Sequence, residues 1–92
     1  MKIVLLPQAQ EDLDLVYEPL FSQIIHKLEI LEEYPNLGAT MGGPFTGYRS
    51  LVVNFFRIIY HLRENNLIEV VYIRDCRRII TLKSPRLLKK YL

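Results

Sequence analysis

Cysteine and histidine are scarce in this sequence of 92 residues, which contains one cysteine, Cys76, and two histidines, His26 and His61. A single cysteine cannot form a disulfide within the chain, and these three residues do not supply a four-ligand zinc site. Small folds held together by disulfides or by zinc are therefore excluded. Without such cross-links, a chain of this length is too short for two independent cores. We expect a single domain over residues 1–92, with no metal and no other cofactor.

Long apolar runs are also missing. Asn54 and Arg57 interrupt the most apolar part of the chain, and the apolar run over residues 2–6 is too short for the hydrophobic region of a signal peptide. Half of the residues are nevertheless apolar and 11% are aromatic, which is the composition of a folded globular domain. We expect a cytoplasmic protein with a hydrophobic core and no membrane contact.

Charge is distributed unevenly along the chain, although the formal net charge is only +2. Residues 1–47 contain two basic and seven acidic residues, a net charge of −5. Residues 48–92 contain ten basic and three acidic residues, a net charge of +7. The basic half favours an anionic partner, either nucleic acid or an acidic protein segment. A basic surface that contacts only solvent is equally compatible with the charge alone.

Apolar spacing in the first half predicts one strand and two helices. Residues 2–6 are apolar and β-branched and end at a proline, as expected of a buried strand. Apolar residues then recur with helical spacing over residues 9–20, and Pro19 should end this helix near residue 18. A second apolar stripe over residues 21–31 predicts another helix, which ends at Pro35. The two helices are expected to form a hairpin.

The second half has the composition of a sheet. The glycine-rich residues 36–47 predict a loop, and three runs rich in β-branched and aromatic residues follow it. The predicted strands, joined by short links into an antiparallel meander, are residues 48–53, 55–62 and 67–74. Ser84 and Pro85 then predict the start of a short C-terminal helix. The predicted fold is α+β with the order β-α-α-β-β-β-α, in which an N-terminal helical hairpin packs on an antiparallel sheet.

The middle predicted strand has two different faces, because successive side chains of a strand point to opposite sides. Phe56, Ile58, Tyr60 and Leu62 form an apolar face that should pack against the helices. The opposite face carries Arg57, Ile59, His61 and Arg63, and we expect it to be open. Basic residues of the neighbouring segments are expected to converge on this open face; they are Arg49, Arg74, Arg77 and Arg78. Arginine suits phosphate recognition, because its planar guanidinium can bind two phosphate oxygens at once.

Several of these residues have a structural interpretation as well. His61 is also compatible with an ordinary position near the edge of the sheet, and Arg77 with a solvated basic run at the end of a strand. Tyrosines can stack on nucleobases, but aromatic strand residues are more typical of a core; the tyrosines concerned are Tyr48, Tyr72 and Tyr91. A lone cysteine such as Cys76 is typical of a small packed residue.

Five segments in this order resemble the RelE/ParE superfamily of bacterial toxins. They are residues 9–13 (AQEDL), 31–38 (LEEYPNLG), 47–49 (GYR), 56–60 (FRIIY) and 73–78 (IRDCRR). The resemblance spans nearly the whole chain and implies the family's helical hairpin on an antiparallel sheet. It also implies the toxin half of a type II toxin–antitoxin pair, whose partner is an antitoxin that wraps the toxin with an acidic or amphipathic segment.

The resemblance implies two alternative activities. RelE-like members cut messenger RNA in the ribosomal A site without a metal, by activating the ribose 2′-hydroxyl and stabilising the phosphorane with basic side chains. ParE-like members bind DNA gyrase and are not nucleases. Two positions depart from the nuclease pattern, because Leu51 occupies the place of a strand lysine and Lys83 lies near the place of a tyrosine. Lys83 or His61 is then the alternative for proton transfer.

We favour the nuclease, whose target is the ribosome with its mRNA, and keep gyrase as the alternative. By resemblance, Arg57 matches the middle-strand arginine of the nuclease site, Arg77 or Arg78 matches the arginine after the last strand, and Arg49 falls near a strand lysine. The predicted catalytic residues are Arg57, Arg77, Arg49 and His61. The predicted contacts to nucleic acid or to a partner are Arg63, Arg74, Arg78 and Lys83.

Overall fold

The computed structural model describes residues 1–77. The strands are β1 (Lys2–Leu5), β2 (Ala39–Thr40), β3 (Tyr48–Val53), β4 (Phe56–Arg63) and β5 (Leu67–Asp75), and the helices are α1 (Pro7–Asp14) and α2 (Leu20–Glu33). The three predicted strands of the meander are confirmed to within one residue at each end. The predicted C-terminal helix, together with Arg78 and Lys83, lies outside the described residues.

Helix α1 is shorter than the sequence predicts. It begins at Pro7, where a missing N–H costs nothing because the first helical N–H groups have no partner within the helix. The N–H groups of Leu15 and Val16 each bond to the carbonyl three residues earlier, which tightens and ends the last turn at Asp14. The buried residues of α1, Ala9 and Leu13, have the predicted helical spacing.

Helix α2 follows after a turn and is the longer of the two. The Glu18 carboxylate accepts hydrogen bonds from the N–H of Ser22 at 3.0 Å and from its hydroxyl at 2.7 Å, which satisfies a donor in the first turn. Ile24, Leu28 and Leu31 are buried at helical spacing. Neither described helix has the length and apolar character needed to cross a membrane.

The five strands form one sheet in the order β1-β5-β4-β3-β2. The predicted antiparallel sheet is confirmed for β2 to β5, and at one edge β1 pairs with β5 in parallel. The hairpin of α1 and α2 carries the chain from this edge to the opposite one, and the meander returns it beside β1. Strand β1 is consequently an edge strand with half-buried side chains, where a buried strand was expected. The predicted loop over residues 36–47 also contains the two-residue strand β2.

The hydrophobic core lies between the helices and one face of the sheet. Helix residues such as Leu13, Ile24 and Leu31 meet sheet residues such as Ile58 and Tyr60 in this core. The predicted apolar face of β4 is therefore confirmed, since Ile58 and Tyr60 are fully buried. We call this the helix face of the sheet, and the other side is the open face.

Candidate functional site

The open face is defined by the register of the three central strands, because residues directly opposite in antiparallel pairs point to the same side. Pairing places β3 residues beside β4 residues and β4 residues beside β5 residues in successive rows. The polar and aromatic side chains on this face are Tyr48, Ser50, Arg57, His61, Arg63, Glu69, Tyr72 and Arg74. The two helices pack on the other side, so neither of them covers these groups.

Arg57 and Arg74 lie directly opposite each other on β4 and β5. Both are exposed, and within residues 1–77 neither side chain has an acidic partner. The guanidinium of Arg74 lies over the ring of Tyr72, 4.1 Å from its centroid, which holds the cation against the sheet. Like charges in directly opposed positions repel, so this pair favours the binding of an anion between them.

A β-bulge brings Arg74 to this position. Ile59 pairs with Tyr72 but Tyr60 pairs with Val70, so Val71 is an extra residue in β5. Regular alternation would place Val70 on the same side as Tyr72 and Arg74, and that expectation is wrong. The bulge shifts the alternation by one residue, which buries Val70 in the core while Tyr72 stays on the open face.

Three rings line the other end of the open face. The rings of Tyr48 and His61 lie 4.9 Å apart with a 33° tilt. Phe45, in the 3₁₀ turn before β3, meets the Tyr48 ring edge-on at 6.1 Å. We call Phe45, Tyr48 and His61 the aromatic row. His61 is four residues from Arg57 along β4, a distance of about 13 Å at the usual strand rise.

Polar groups and a cavity border the aromatic row. Arg63 forms an ion pair with Glu69 at 3.6 Å, and Glu69 lies directly opposite His61. A cavity of about 420 Å³ is lined by residues 61–65, at the end of β4 and the start of the following turn.

Arg49 does not lie on the open face, contrary to the expectation that it converges there with Arg57. It pairs with Tyr60 and therefore points to the helix face. Its guanidinium donates hydrogen bonds to the carbonyl of Gly38 at 2.7 Å and to that of Asn36 at 3.2 Å. Arg49 thus ties the segment after α2 to the sheet and is separated from Arg57 by the sheet itself.

Tyr60 holds the same segment from the core, a role that has no signal in the sequence. Its hydroxyl accepts a hydrogen bond from the N–H of Gly38 at 2.9 Å and donates one to the carbonyl of Pro35 at 2.7 Å. Burial raises the pKa of the Tyr60 phenol above its ordinary value of 10.0, although the Gly38 hydrogen bond and the charge of Arg49 act to lower it. The phenol therefore stays protonated at neutral pH.

Arg77 lies at the end of the sheet where β3 turns into β4. It contacts the Asp75 carboxylate at 3.4 Å, and its guanidinium lies 3.5 Å from the centroid of the Phe55 ring. The N–H of Cys76 donates to the carbonyl of Phe55, which fixes the chain at this corner. Within residues 1–77, no group of histidine, cysteine and carboxylate side chains could hold a metal ion.

Solved structures share this fold at low sequence identity. A chain of the RelBE2 toxin–antitoxin complex from Mycobacterium tuberculosis aligns with a TM-score of 0.74 and 13% identity, over 80% of this chain and 95% of that one. The isolated E. coli RelE toxin aligns with a TM-score of 0.72 and 14% identity, over 99% and 98%. A chain of the chromosomal ParDE system from P. aeruginosa gives 0.66 and 19%, over 82% and 95%.

Sequence comparison identifies the family. A search of the curated proteins found no match. Residues 3–80, most of the chain, match the family model of the ParE toxin of the type II toxin–antitoxin system parDE. The segments quoted above and the helical hairpin on a mostly antiparallel sheet agree with this match. The chain therefore belongs to the ParE toxin family of type II toxin–antitoxin systems, within the RelE/ParE superfamily.

Proposed function

We propose that this toxin is a ribosome-dependent mRNA endoribonuclease, and that the open face binds the phosphate to be cleaved. The observation that carries the proposal is the opposed pair of Arg57 and Arg74, two exposed guanidiniums without an acidic partner in the described part of the chain. Guanidiniums remain charged throughout a reaction and bind phosphate oxygens in a fixed geometry. The pair therefore suits a phosphate whose charge increases during the reaction.

The proposed reaction forms a bond between the ribose 2′-oxygen and phosphorus and breaks the bond from phosphorus to the 5′-oxygen of the next nucleotide. A base removes the 2′-hydroxyl proton, and an acid returns a proton to the leaving oxygen. Arg57 and Arg74 stabilise the additional negative charge on the phosphorane. Of the two groups predicted for proton transfer, Lys83 stays the proposal, because His61 lies four residues from Arg57 along β4, at about 13 Å. Arg77 stays a proposed additional contact to the phosphate.

We further propose that the toxin is one domain over residues 1–92 that acts in the cytoplasm with a cognate antitoxin. Several structural neighbours were solved as toxin–antitoxin complexes, which supports such a partner. An acidic antitoxin segment would complement the net charge of +7 over residues 48–92. Expression of this chain alone should arrest growth, and co-expression of an antitoxin encoded beside it should restore growth. Normal growth with folded toxin present would contradict this proposal.

A second candidate function is the poisoning of DNA gyrase without catalysis. It is favoured by the place of His61, the one histidine on the open face in residues 1–77, which lies about 13 Å along the strand from Arg57. A proton acceptor that acts on the same phosphate as Arg57 must be within hydrogen-bond reach of the reacting hydroxyl. His61 lies too far along the strand to meet this requirement, which favours a function without catalysis. The match to the ParE toxin model agrees with this alternative as well.

The test compares both activities in the same protein preparations. Cleavage of ribosome-bound message is followed by primer extension, and gyrase activity by DNA supercoiling. We expect Arg57→Ala to lose about 2 to 4 kcal/mol of transition-state stabilisation in message cleavage, with folding unchanged. Lys2→Ala is the control, because Lys2 is an exposed cation on the edge strand β1, outside the predicted site. Intact messages together with inhibited supercoiling would reject the nuclease in favour of the gyrase alternative.

A further inference from the structure

We propose that the aromatic row of Phe45, Tyr48 and His61 is a stacking site for an unpaired nucleobase of the RNA. The phosphate of the same RNA chain binds at Arg57 and Arg74. This inference rests on the proposed nuclease function and adds a second binding site to it. The ligand of the row is the flat face of a base, which every nucleotide offers, so the site recognises single-stranded RNA without reading one particular base.

The first argument is the position of the three rings. Aromatic strand residues usually serve a core, but Tyr48 and His61 point away from the helices and do not belong to the core cluster. Both are half-buried, and Phe45 is 37% exposed at the rim. The row therefore offers ring surface to a ligand on the side of the sheet that α1 and α2 leave open.

The second argument is the combination of rings with charges on one surface. Proteins that bind single-stranded nucleic acid combine a positive surface for the backbone with aromatic side chains for the bases. The Arg57 and Arg74 pair supplies the charges, and the aromatic row supplies the rings about 13 Å away along β4. Ile59 lies between them on the same face of β4.

The third argument is the space beside the row. His61 is one of the residues that line the cavity of about 420 Å³. A base that stacks on His61 would therefore have this space on one side of it. The neighbouring Arg63 and Glu69 pair keeps a cation and a carboxylate at the rim, where both contact solvent and remain accessible to the polar edge of a base.

The experiment measures binding of the full-length toxin to ribosomes programmed with a message that it cannot cleave. One message carries 2′-O-methyl groups, which block the attacking oxygen, and a second has the same backbone but lacks the bases at the modified positions. Co-sedimentation with the ribosome gives the affinity for each message. The variants are Tyr48→Leu and Phe45→Leu, with Tyr48→Phe as the variant that keeps the ring. Tyr34→Leu is the control, because Tyr34 is 61% exposed at the end of α2 and far from β4 in sequence.

We expect the wild-type toxin to bind the message with bases about tenfold to a hundredfold more tightly than the abasic one. Tyr48→Leu and Phe45→Leu should reduce this preference, while Tyr48→Phe and Tyr34→Leu should retain it. Arg57→Ala should weaken the binding of both messages by the same factor. Thermal unfolding of each variant identifies any loss of folded protein.

Three results would overturn the inference in distinguishable ways. Equal wild-type affinity for both messages, with Arg57→Ala still weakening both, would reject the stacking site and leave the phosphate site intact. Affinity that depends neither on the message nor on Arg57 would reject the proposed nuclease function, and the stacking site with it. A preference for bases that survives in both leucine variants would assign the stacking to other residues and would also reject the inference.

Discussion

Arg49 and Arg57 lie on neighbouring strands but face opposite sides of the same sheet. Arg49 points to the helix face, where two backbone carbonyls accept its hydrogen bonds. Arg57 points to the open face, opposite Arg74 and without an acidic partner in the described residues. The same type of side chain therefore stabilises a loop on one face, at Arg49, and remains available to a ligand on the other, at Arg57. The surroundings of each guanidinium, and not its residue type, separate structure from function here.

The difference between these two arginines extends to the other polar groups on the two faces of the sheet. On the helix face, polar groups such as the Tyr60 hydroxyl are satisfied by the chain itself, and within residues 1–77 no buried side-chain nitrogen or oxygen lacks a hydrogen-bond partner. On the open face, the opposed cations are exposed and the rings of the aromatic row are partly exposed. Substitutions on the helix face should therefore reduce stability, and those on the open face should reduce activity.

The largest effect on stability is expected at Gly38, where the segment after α2 meets the sheet. A Cβ at this position would lie 2.8 Å from two atoms of the buried Tyr60 ring and hydroxyl and 2.9 Å from the Ser50 carbonyl. Because neither the backbone nor the buried ring can move freely, Gly38→Ala should cost about 3 kcal/mol of unfolding free energy. Gly42→Ala is the control, since no atom of the part of the chain that the structure describes would lie within 4 Å of a Cβ at this position. Equal urea midpoints for the two variants would contradict this account.

The next largest effect separates the two arginines directly. Arg49→Ala removes two hydrogen bonds from a charged donor and should lower the free energy of unfolding by about 2 kcal/mol. Arg57→Ala removes no hydrogen bond among the described residues and should change it by less than about 0.5 kcal/mol. Message cleavage per folded molecule should show the reverse order. Urea unfolding and primer extension on both variants measure the two quantities, and loss of activity with unchanged stability in Arg49→Ala would refute the assignment.

A smaller effect is expected when the Tyr60 hydroxyl is removed. Tyr60→Phe leaves the Gly38 N–H and the Pro35 carbonyl without this partner and should cost about 1.5 kcal/mol at neutral pH. The raised pKa of Tyr60 adds a dependence on pH. Below the ordinary pKa of 10.0 the phenol is protonated in the folded and unfolded chains, so its contribution is fully present.

Above pH 10.0 the unfolded chain loses this proton while the folded chain retains it, so stability falls until the pH passes the folded pKa. The wild type should therefore lose more stability than Tyr60→Phe when the pH rises from neutral into this range. The measurement is urea unfolding of both proteins at several alkaline pH values. Parallel pH profiles for the two proteins would show that the folded pKa of Tyr60 is not raised.

The sequence was sufficient to predict the faces of β4 but not those of its neighbours. In β4, apolar and polar residues alternate around Arg57, so the helix face and the open face could be distinguished. In β3, Arg49 shares its side of the strand with the apolar Leu51 and Val53, and this pattern places it on the helix face. The expectation that basic residues converge overrode the pattern, and the hydrogen-bond acceptors near Gly38 are not visible in the sequence.

Two features of the sheet have no local signal in the sequence. Residues 70–73 are all apolar or aromatic, so alternation cannot reveal that Val71 is a bulge or that Tyr72 and Arg74 share the open face. Strand β2 has only two residues and depends on pairing with β3, which a glycine-rich segment does not indicate. Both features depend on how neighbouring strands pair, which the composition of a single strand does not show.

The smallest effect concerns the repulsion between Arg57 and Arg74. Directly opposed like charges on a sheet destabilise it by a few tenths of a kcal/mol, so Arg57→Gln should raise the free energy of unfolding by about 0.5 kcal/mol at low salt. Glutamine keeps much of the side-chain length, whereas a change at Arg74 would also remove its contact with the Tyr72 ring. At about 1 M salt the screening length falls to about 3 Å, and the gain should disappear.

A double-mutant cycle with Arg74→Gln, measured by urea unfolding at both salt concentrations, isolates the pair from other contacts. A favourable coupling, or one that salt does not change, would show that the two guanidiniums do not repel each other, and it would remove the electrostatic argument for an anion site on the open face.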